Sequence, residues 1–151
     1  EFNAFRPAYA ERILCKAFDA LTDGSLLLLE VSTFDSLKRA GEQGPSWYSA
    51  TDGLFSAQPH VCLEEHFWDD SRCVATTRFF VVDAATGDVT RCIEGLQAYT
   101  DEQYRVLLDK CGFSETAFFP SLTGAVDKTQ QHFFAIVSRK SCHIPGRPEQ
   151  R

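Results

Sequence analysis

Apolar residues fall along this chain in changing rhythms, and each rhythm predicts an element. From Pro7 to Leu21, the residues Ala10, Ile13, Leu14, Ala17, Phe18 and Leu21 recur three and four positions apart. That spacing gathers side chains on one face of an α-helix. Pro7 suits the first helical turn, where its missing N–H costs nothing. Thr22-Asp23-Gly24 then stops the helix, with Gly24 free to take a positive φ. Ser25 to Ser32 is apolar on both faces of a pleat, so burial on both sides is expected, as in the middle of a parallel sheet. Helix, glycine turn and doubly buried strand form the second half of a βαβ unit. Its first strand would precede Glu1, leaving Glu1-Phe2-Asn3 as a stub of the exit loop.

Thr33 to Ala40 predicts a short helix with Leu37 inward, ended by Gly41. Gly41 to Pro59 is rich in Gly, Pro and polar residues but holds Trp47, Tyr48, Leu54 and Phe55, and is expected to be an excursion or lid. His60–Trp68, Arg72–Asp83 and Val89–Tyr99 are extended segments, the last two joined by a Gly-containing turn into an antiparallel hairpin. Thr100-Asp101-Glu102-Gln103 is a capping box, followed by Tyr104, Leu107, Leu108 and Cys111 at helical spacing and closed by Gly112. Ser114–Ser121 and His132–Arg139 are β-prone runs. The Pro- and Gly-bearing tail at 141–151 is expected to be disordered.

At 151 residues, with 44% apolar and 24% charged, the chain has the composition of one globular domain. A net charge of −6 gives nucleic acid no general footing, because phosphate binding needs Lys and Arg to release counterions. The longest aliphatic run, Leu26–Leu29, is far too short to span a bilayer, so no membrane is expected. Cys15, Cys62, Cys73, Cys92, Cys111 and Cys142 occur without a CxxC and within apolar segments, which suits free thiols in the cytoplasm. The chain contains no Met and opens on Glu, so it is read as a cut piece or a processed product. A G-x-S-x-G elbow is also lacking, which removes the common hydrolase signature.

The order of elements resembles the C-terminal half of a class I S-adenosylmethionine (SAM)-dependent methyltransferase. Pro7 to Leu21 with Thr22-Asp23-Gly24 and Ser25–Val31 is similar to the family's helix, "L-x-P-G-G" turn and fifth strand, Thr22-Asp23 replacing the usual Pro-Gly. Tyr99-Thr100-Asp101-Glu102 through Leu107-Leu108 and Gly112-Phe113 looks like the family's "Y-T-x-E-x-x-x-L-L-x-x-A-G-F" helix, and His132–Lys140 its final strand. The resemblance covers residues 1–140, with 41–98 as a substrate-side insertion. It implies an α/β fold: a partial Rossmann-like methyltransferase sheet with an inserted antiparallel β-hairpin sheet. SAM is the implied cofactor. No G-x-G-x-G occurs in the chain, so the main cofactor motif is expected upstream of Glu1 and the chain alone is expected to be inactive.

Methyl transfer from a sulfonium asks the protein to orient reactants, exclude water and sometimes remove a proton. In an open α/β sheet the ligand sits beyond the carboxyl ends of the strands. The resemblance therefore points to Glu1, Phe2 and Asn3 for the cofactor, and to Ser32 and Thr33 for the acceptor. The alternative for Phe2 and Phe5 is core packing, and for Asn3 a helix cap. Trp47 and Tyr48 are candidates to cover an acceptor, or else pin their loop. Arg78 would meet an anionic acceptor, or pair with Glu64 or Glu94 across the sheet. His60, Cys62, Glu64 and His66 alternate onto one strand face, but residues there step about 7 Å apart per pair, too far to share one zinc ion, and no metal is expected.

The expected partners are a small-molecule acceptor and either the missing N-terminal half or a second copy bound through the exposed edge of strand 25–32. A second reading makes the chain a non-enzymatic α+β ligand-binding or dimerisation module built on the sheet 60–99. A parallel edge strand at 25–32 would favour the enzyme fragment, and a complete antiparallel sheet over that strand the module.

Overall fold

The computed structural model describes residues 1–126 and 131–141. It divides into two compact units, Glu1–Ser32 with Tyr99–Arg151, and Thr33–Ala98. The expected tail lies, from Cys142 onward, outside the described residues.

The first unit opens with a 3-10 turn at Phe2–Ala4, followed by helix α1 at Pro7–Ala20 with proline in its first turn. Gly24 has φ +78 after it, and strand β1 runs from Leu26 to Ser32. The last carbonyls of α1 find a cation: Lys140 Nζ donates to the carbonyls of Phe18 and Leu21 at 2.8 and 2.9 Å, where the helix dipole favours positive charge.

This unit resumes after Ala98 with a second helix at Asp101–Lys110. Thr100 Oγ1 accepts from the Gln103 N–H while Gln103 Oε1 accepts from the Thr100 N–H, completing the expected capping box. Two strands, Phe113–Phe119 and Phe133–Lys140, close the unit in the sheet order Leu26–Ser32, Phe133–Lys140, Phe113–Phe119, antiparallel throughout. Gly112, at φ +95, leads into the first of them. A Cβ there would sit 2.9 Å from the Phe18 ring, so only glycine serves both the turn and the packing.

Both helices lie against one sheet face. Leu14, Val31, Tyr99, Tyr104, Leu108, Phe113 and Ile136 form the core, with Leu27, Leu29, Phe118 and Phe134 packed against it. Register explains the set, since Leu29 opposes Ile136 and Val31 opposes Phe134. The reading of β1 as buried on both faces is corrected: Leu26 and Leu28 are 54% and 57% exposed. An all-leucine run names a strand but cannot say which faces other elements cover. Nor is its pairing parallel. β1 pairs antiparallel with Phe133–Lys140 on one edge, and no described strand occupies the other.

A second correction concerns the thiols. Cys15 and Cys111 form a disulfide across 96 residues, with Cα atoms 4.7 Å apart. It joins α1 to the end of the helix at Asp101–Lys110, beside an ion pair of Lys110 with Glu11 at 2.7 Å. Sequence spacing carries no trace of such a long-range meeting. Cys62, Cys73 and Cys92 are free.

The second unit begins with α2 at Phe34–Gly41, capped by Thr33, whose Oγ1 accepts from the Ser36 N–H. Following the labels in chain order, β2 is Ser46–Ala50, β3 His60–Asp69, β4 Val74–Asp83 and β5 Val89–Gln97. The helix at Asp101–Lys110 is then α3, and the strands Phe113–Phe119 and Phe133–Lys140 are β6 and β7. β2 to β5 form an antiparallel meander. The hairpin of β4 and β5 was legible. β2 was not, because its five residues lie inside a stretch that composition marks as loop.

Gly41 lets α2 approach β3: a Cβ would lie 2.9 Å from the Phe67 carbonyl oxygen. Phe34 meets Trp68 edge-on, and Leu37 is buried, so α2 covers the sheet face that carries Trp68 and Ala75. Among the described residues, no helix is long and apolar enough to cross a membrane.

Candidate functional site

Four of the expected residues meet in the first unit. Asn3 is fully buried: its Oδ1 accepts from the Ser32 backbone N–H at 3.0 Å, and its Nδ2 donates to the Tyr104 hydroxyl at 3.2 Å. Glu1 Oε1 accepts from Ser32 Oγ at 2.8 Å, and its side chain is otherwise exposed. Phe2 packs between the rings of Tyr99 and Tyr104, both 6.1 Å away. Residues 1–3 therefore sit at the carboxyl end of β1, and Asn3 supplies the acceptor that Ser32 N–H would otherwise take from a strand.

The tyrosines below this cluster hold it in place, and sequence patterning had marked Tyr104 only as a helix-face residue. Tyr99 donates its hydroxyl to the Phe5 carbonyl at 2.8 Å. Burial pushes its ionisation up to about 12. Tyr104 is raised further, mainly by burial, with the Asn3 hydrogen bond acting in the opposite direction. Both phenols stay protonated across ordinary pH, Tyr99 donating to Phe5 and Tyr104 accepting from Asn3. Asn3 does not cap α1, whose N-cap is Arg6 without a side-chain cap bond. Phe2 is core, whereas Phe5 is 39% exposed.

The other candidates lie in the second unit and do not converge. Thr33 spends its hydroxyl capping α2. Trp47 and Tyr48 are neighbours on β2, so they point to opposite faces, opposite Leu63 and Cys62 respectively. Trp47 is 70% exposed on the face away from α2. The Tyr48 phenol is raised from its ordinary value first by a hydrogen bond with Cys62.

Arg78 shares the Trp47 face. Its partner is Glu65 at 4.0 Å, not Glu64 or Glu94, and its guanidinium lies 4.6 Å from the Phe67 ring centroid. Register decides this, since Glu65 and Ile93 are the residues directly opposite. His60, Cys62, Glu64 and His66 do share the opposite face. They do not gather: His66 bonds Thr77 Oγ1 at 3.2 Å and faces Glu64 at 3.7 Å, while His60 bonds the Gln58 carbonyl at 2.8 Å. Among the described residues, no three His, Cys, Asp or Glu are placed to hold a metal ion.

No protein-family model matches the sequence, and no curated protein matches it. Solved structures do match in fold. A SAM-dependent methyltransferase from Clostridium acetobutylicum superposes with TM-score 0.66 at 11% identity, over 94% of this chain and 55% of that one. The CcbJ methyltransferase from Streptomyces caelestis gives 0.64 at 11% identity, over 93% and 53%. CalS10, an amino pentose methyltransferase from Micromonospora echinaspora in a SAM-bound structure, gives 0.58 at 20% identity, over 91% and 54%. The chain thus has a methyltransferase-like α/β fold with antiparallel sheets, and spans about half the length of the structures it matches.

Proposed function

We propose that this chain is the C-terminal portion of a SAM-dependent methyltransferase domain acting on a small-molecule acceptor, with the glycine-rich cofactor turn upstream of Glu1. The observation that carries the reading is the seating of residues 1–3 on the carboxyl end of β1, through Asn3 and Glu1 to Ser32. A strand leading into Glu1 would lie along the β1 edge that no described strand fills. That end of an open sheet is where such folds hold ligands. The free edge and Leu26 and Leu28 beside it are then a seat for the upstream half, or for a second copy in its absence.

The residues present fit the rim of a SAM site rather than its cradle. The chemistry supplied when SAM is bound is an electrophilic methyl group on a sulfonium. Glu1 offers an exposed carboxylate to the positive end of such a ligand, while buried Phe2 and Asn3 fix the loop that carries it. Ser32, whose hydroxyl meets Glu1 at the carboxyl end of β1, is the acceptor-side candidate of the first unit, whereas Thr33, Trp47, Tyr48 and Arg78, expected beside it, do not converge within theirs. The acidic balance of the chain favours a small molecule over nucleic acid.

The test is calorimetric. SAM is titrated into the longest product of the gene and into residues 1–151. Tight binding by the first and none by the second is expected, and equal binding would overturn the proposal. The module reading draws on two observations, the antiparallel pairing of β1 and the open sheet face bearing Trp47, Leu63 and Ile93. Failure of both proteins to bind SAM would favour it.

A further inference from the structure

The end of the second unit's sheet farthest from α2 holds a cavity of about 260 Å³, lined among others by Phe55, His60, Asp83, Thr86, Asp88 and Thr90. His60 is 2% exposed. Its Nδ1 lies 2.8 Å from the Gln58 carbonyl oxygen, which can only accept, so Nδ1 carries the proton. In the neutral ring Nε2 is then a lone-pair acceptor. It makes no hydrogen bond among the described residues, where no sealed side-chain nitrogen or oxygen is left unpartnered. His60 lines the cavity, where an Nε2 that keeps access to solvent would find its partner.

The rest of the lining has the same polarity. Asp83 lies directly opposite His60 across the strand pair. Its Oδ1 accepts from the Ala85 and Thr86 N–H groups at 2.8 Å each, which keeps the carboxylate ionised and its direction fixed. Asp88 adds a second carboxylate, and neither Lys nor Arg lines the space. Phe55, set against Phe79 with ring centroids 4.8 Å apart, is an apolar wall. Two carboxylates and an imidazole lone pair can only accept, while the Ser56, Thr86 and Thr90 hydroxyls can accept or donate, so a complementary ligand brings mainly donors. A positive charge on it would also face the carboxylates and an aromatic ring. Among the described residues no three ligating side chains are placed to hold a metal ion, so the lining suits an organic cation better.

We propose that this cavity is a binding site for a small organic cation bearing hydroxyl groups, with His60 Nε2 and the Asp83 and Asp88 carboxylates as its acceptors. The site is built wholly within the second unit and stands independently of the methyltransferase reading.

The test uses the 151-residue chain, ¹⁵N-labelled, titrated with glucosamine hydrochloride and in parallel with glucose, its neutral counterpart. Saturable shifts are expected at the Thr86, Asp88 and Thr90 amides and at the His60 ring with glucosamine, and much weaker ones with glucose. Asp88→Asn, on an exposed turn, should weaken glucosamine binding about tenfold, the loss of one charge-assisted hydrogen bond. His60→Gln should also weaken it, and the Asp88 variant keeps the test valid if that protein fails to fold. Equal shifts with the two sugars, an unchanged affinity in Asp88→Asn, or no shift at these residues would each overturn the proposal.

Discussion

The Ser32 backbone N–H, the last of β1, donates to Asn3 Oδ1 at 3.0 Å, and Asn3 Nδ2 donates onward to the Tyr104 hydroxyl at 3.2 Å. One buried amide thus ties the start of the chain to the end of a strand and to a core tyrosine. Asn3→Ala should cost about 1–3 kcal/mol, because the Ser32 N–H loses its acceptor inside the fold. Ser32→Ala removes only the hydroxyl bond to the exposed Glu1 and should cost under about 1 kcal/mol. Urea denaturation with an unchanged m-value checks both, and a neutral Asn3→Ala would show that the amide bonds are not stabilising.

Much of this was legible in local sequence, and the exceptions share a physical cause. Pro7, Gly24, the Thr100–Gln103 box and Gly112 bound their helices as expected, because caps and positive-φ turns act over a few residues. Features set by pairing between distant segments were not legible. Arg78 pairs with Glu65 because the β3–β4 register is fixed by the whole hairpin, not by Arg78. Leu28 looks like core and is exposed, since its strand sequence is blind to which face the helices cover. The sequence marks Asn3 for the cofactor or a helix cap; it does not cap α1, and its bonds to Ser32 and Tyr104, 29 and 101 positions away, leave no local signal.

The Cys15–Cys111 bridge closes a loop of 96 residues between α1 and the end of α3. Cross-links over loops of this length stabilise mainly by restricting the unfolded chain, typically by about 2–4 kcal/mol. The Cys15→Ser, Cys111→Ser double variant should lose stability in that range, and dithiothreitol should destabilise the parent but not the variant. Tryptic mapping without reductant must recover the Cys15 and Cys111 peptides joined. Full alkylation of both in the native protein would contradict the bridge and restore the free-thiol reading.

Alkaline pH should weaken the first unit through Tyr99 and Tyr104. Burial raises both phenols above the usual 10, Tyr99 to about 12. Between those values the unfolded chain releases protons that the folded chain retains. The contribution of these two phenols is therefore constant below pH 10 and is lost as pH rises from 10 towards 12. Denaturant midpoints measured across this window should decline, with part of the phenolate absorbance appearing only on unfolding. Tyr104→Phe should flatten the decline, at the cost of the bond to Asn3. A midpoint constant to pH 12 would show that neither hydroxyl is withheld from solvent.

The outer edge of β1 is the expected contact between copies of this chain. Leu26 and Leu28 are more than half exposed, and β1 has a described neighbour on one side only. Unpaired strand edges with apolar flanks recruit other strands, because pairing satisfies backbone groups and buries side chains together. Residues 1–151 should therefore self-associate at micromolar concentrations in analytical ultracentrifugation. Leu28→Lys puts a charge on that flank, which folded proteins use to blunt such edges, and should weaken association at least about tenfold. Because Leu28 is already exposed, the same change should shift folding stability by less than about 1 kcal/mol. A chain that stays monomeric at high concentration, or a Leu28→Lys variant that associates as strongly as the parent, would remove β1 as the contact.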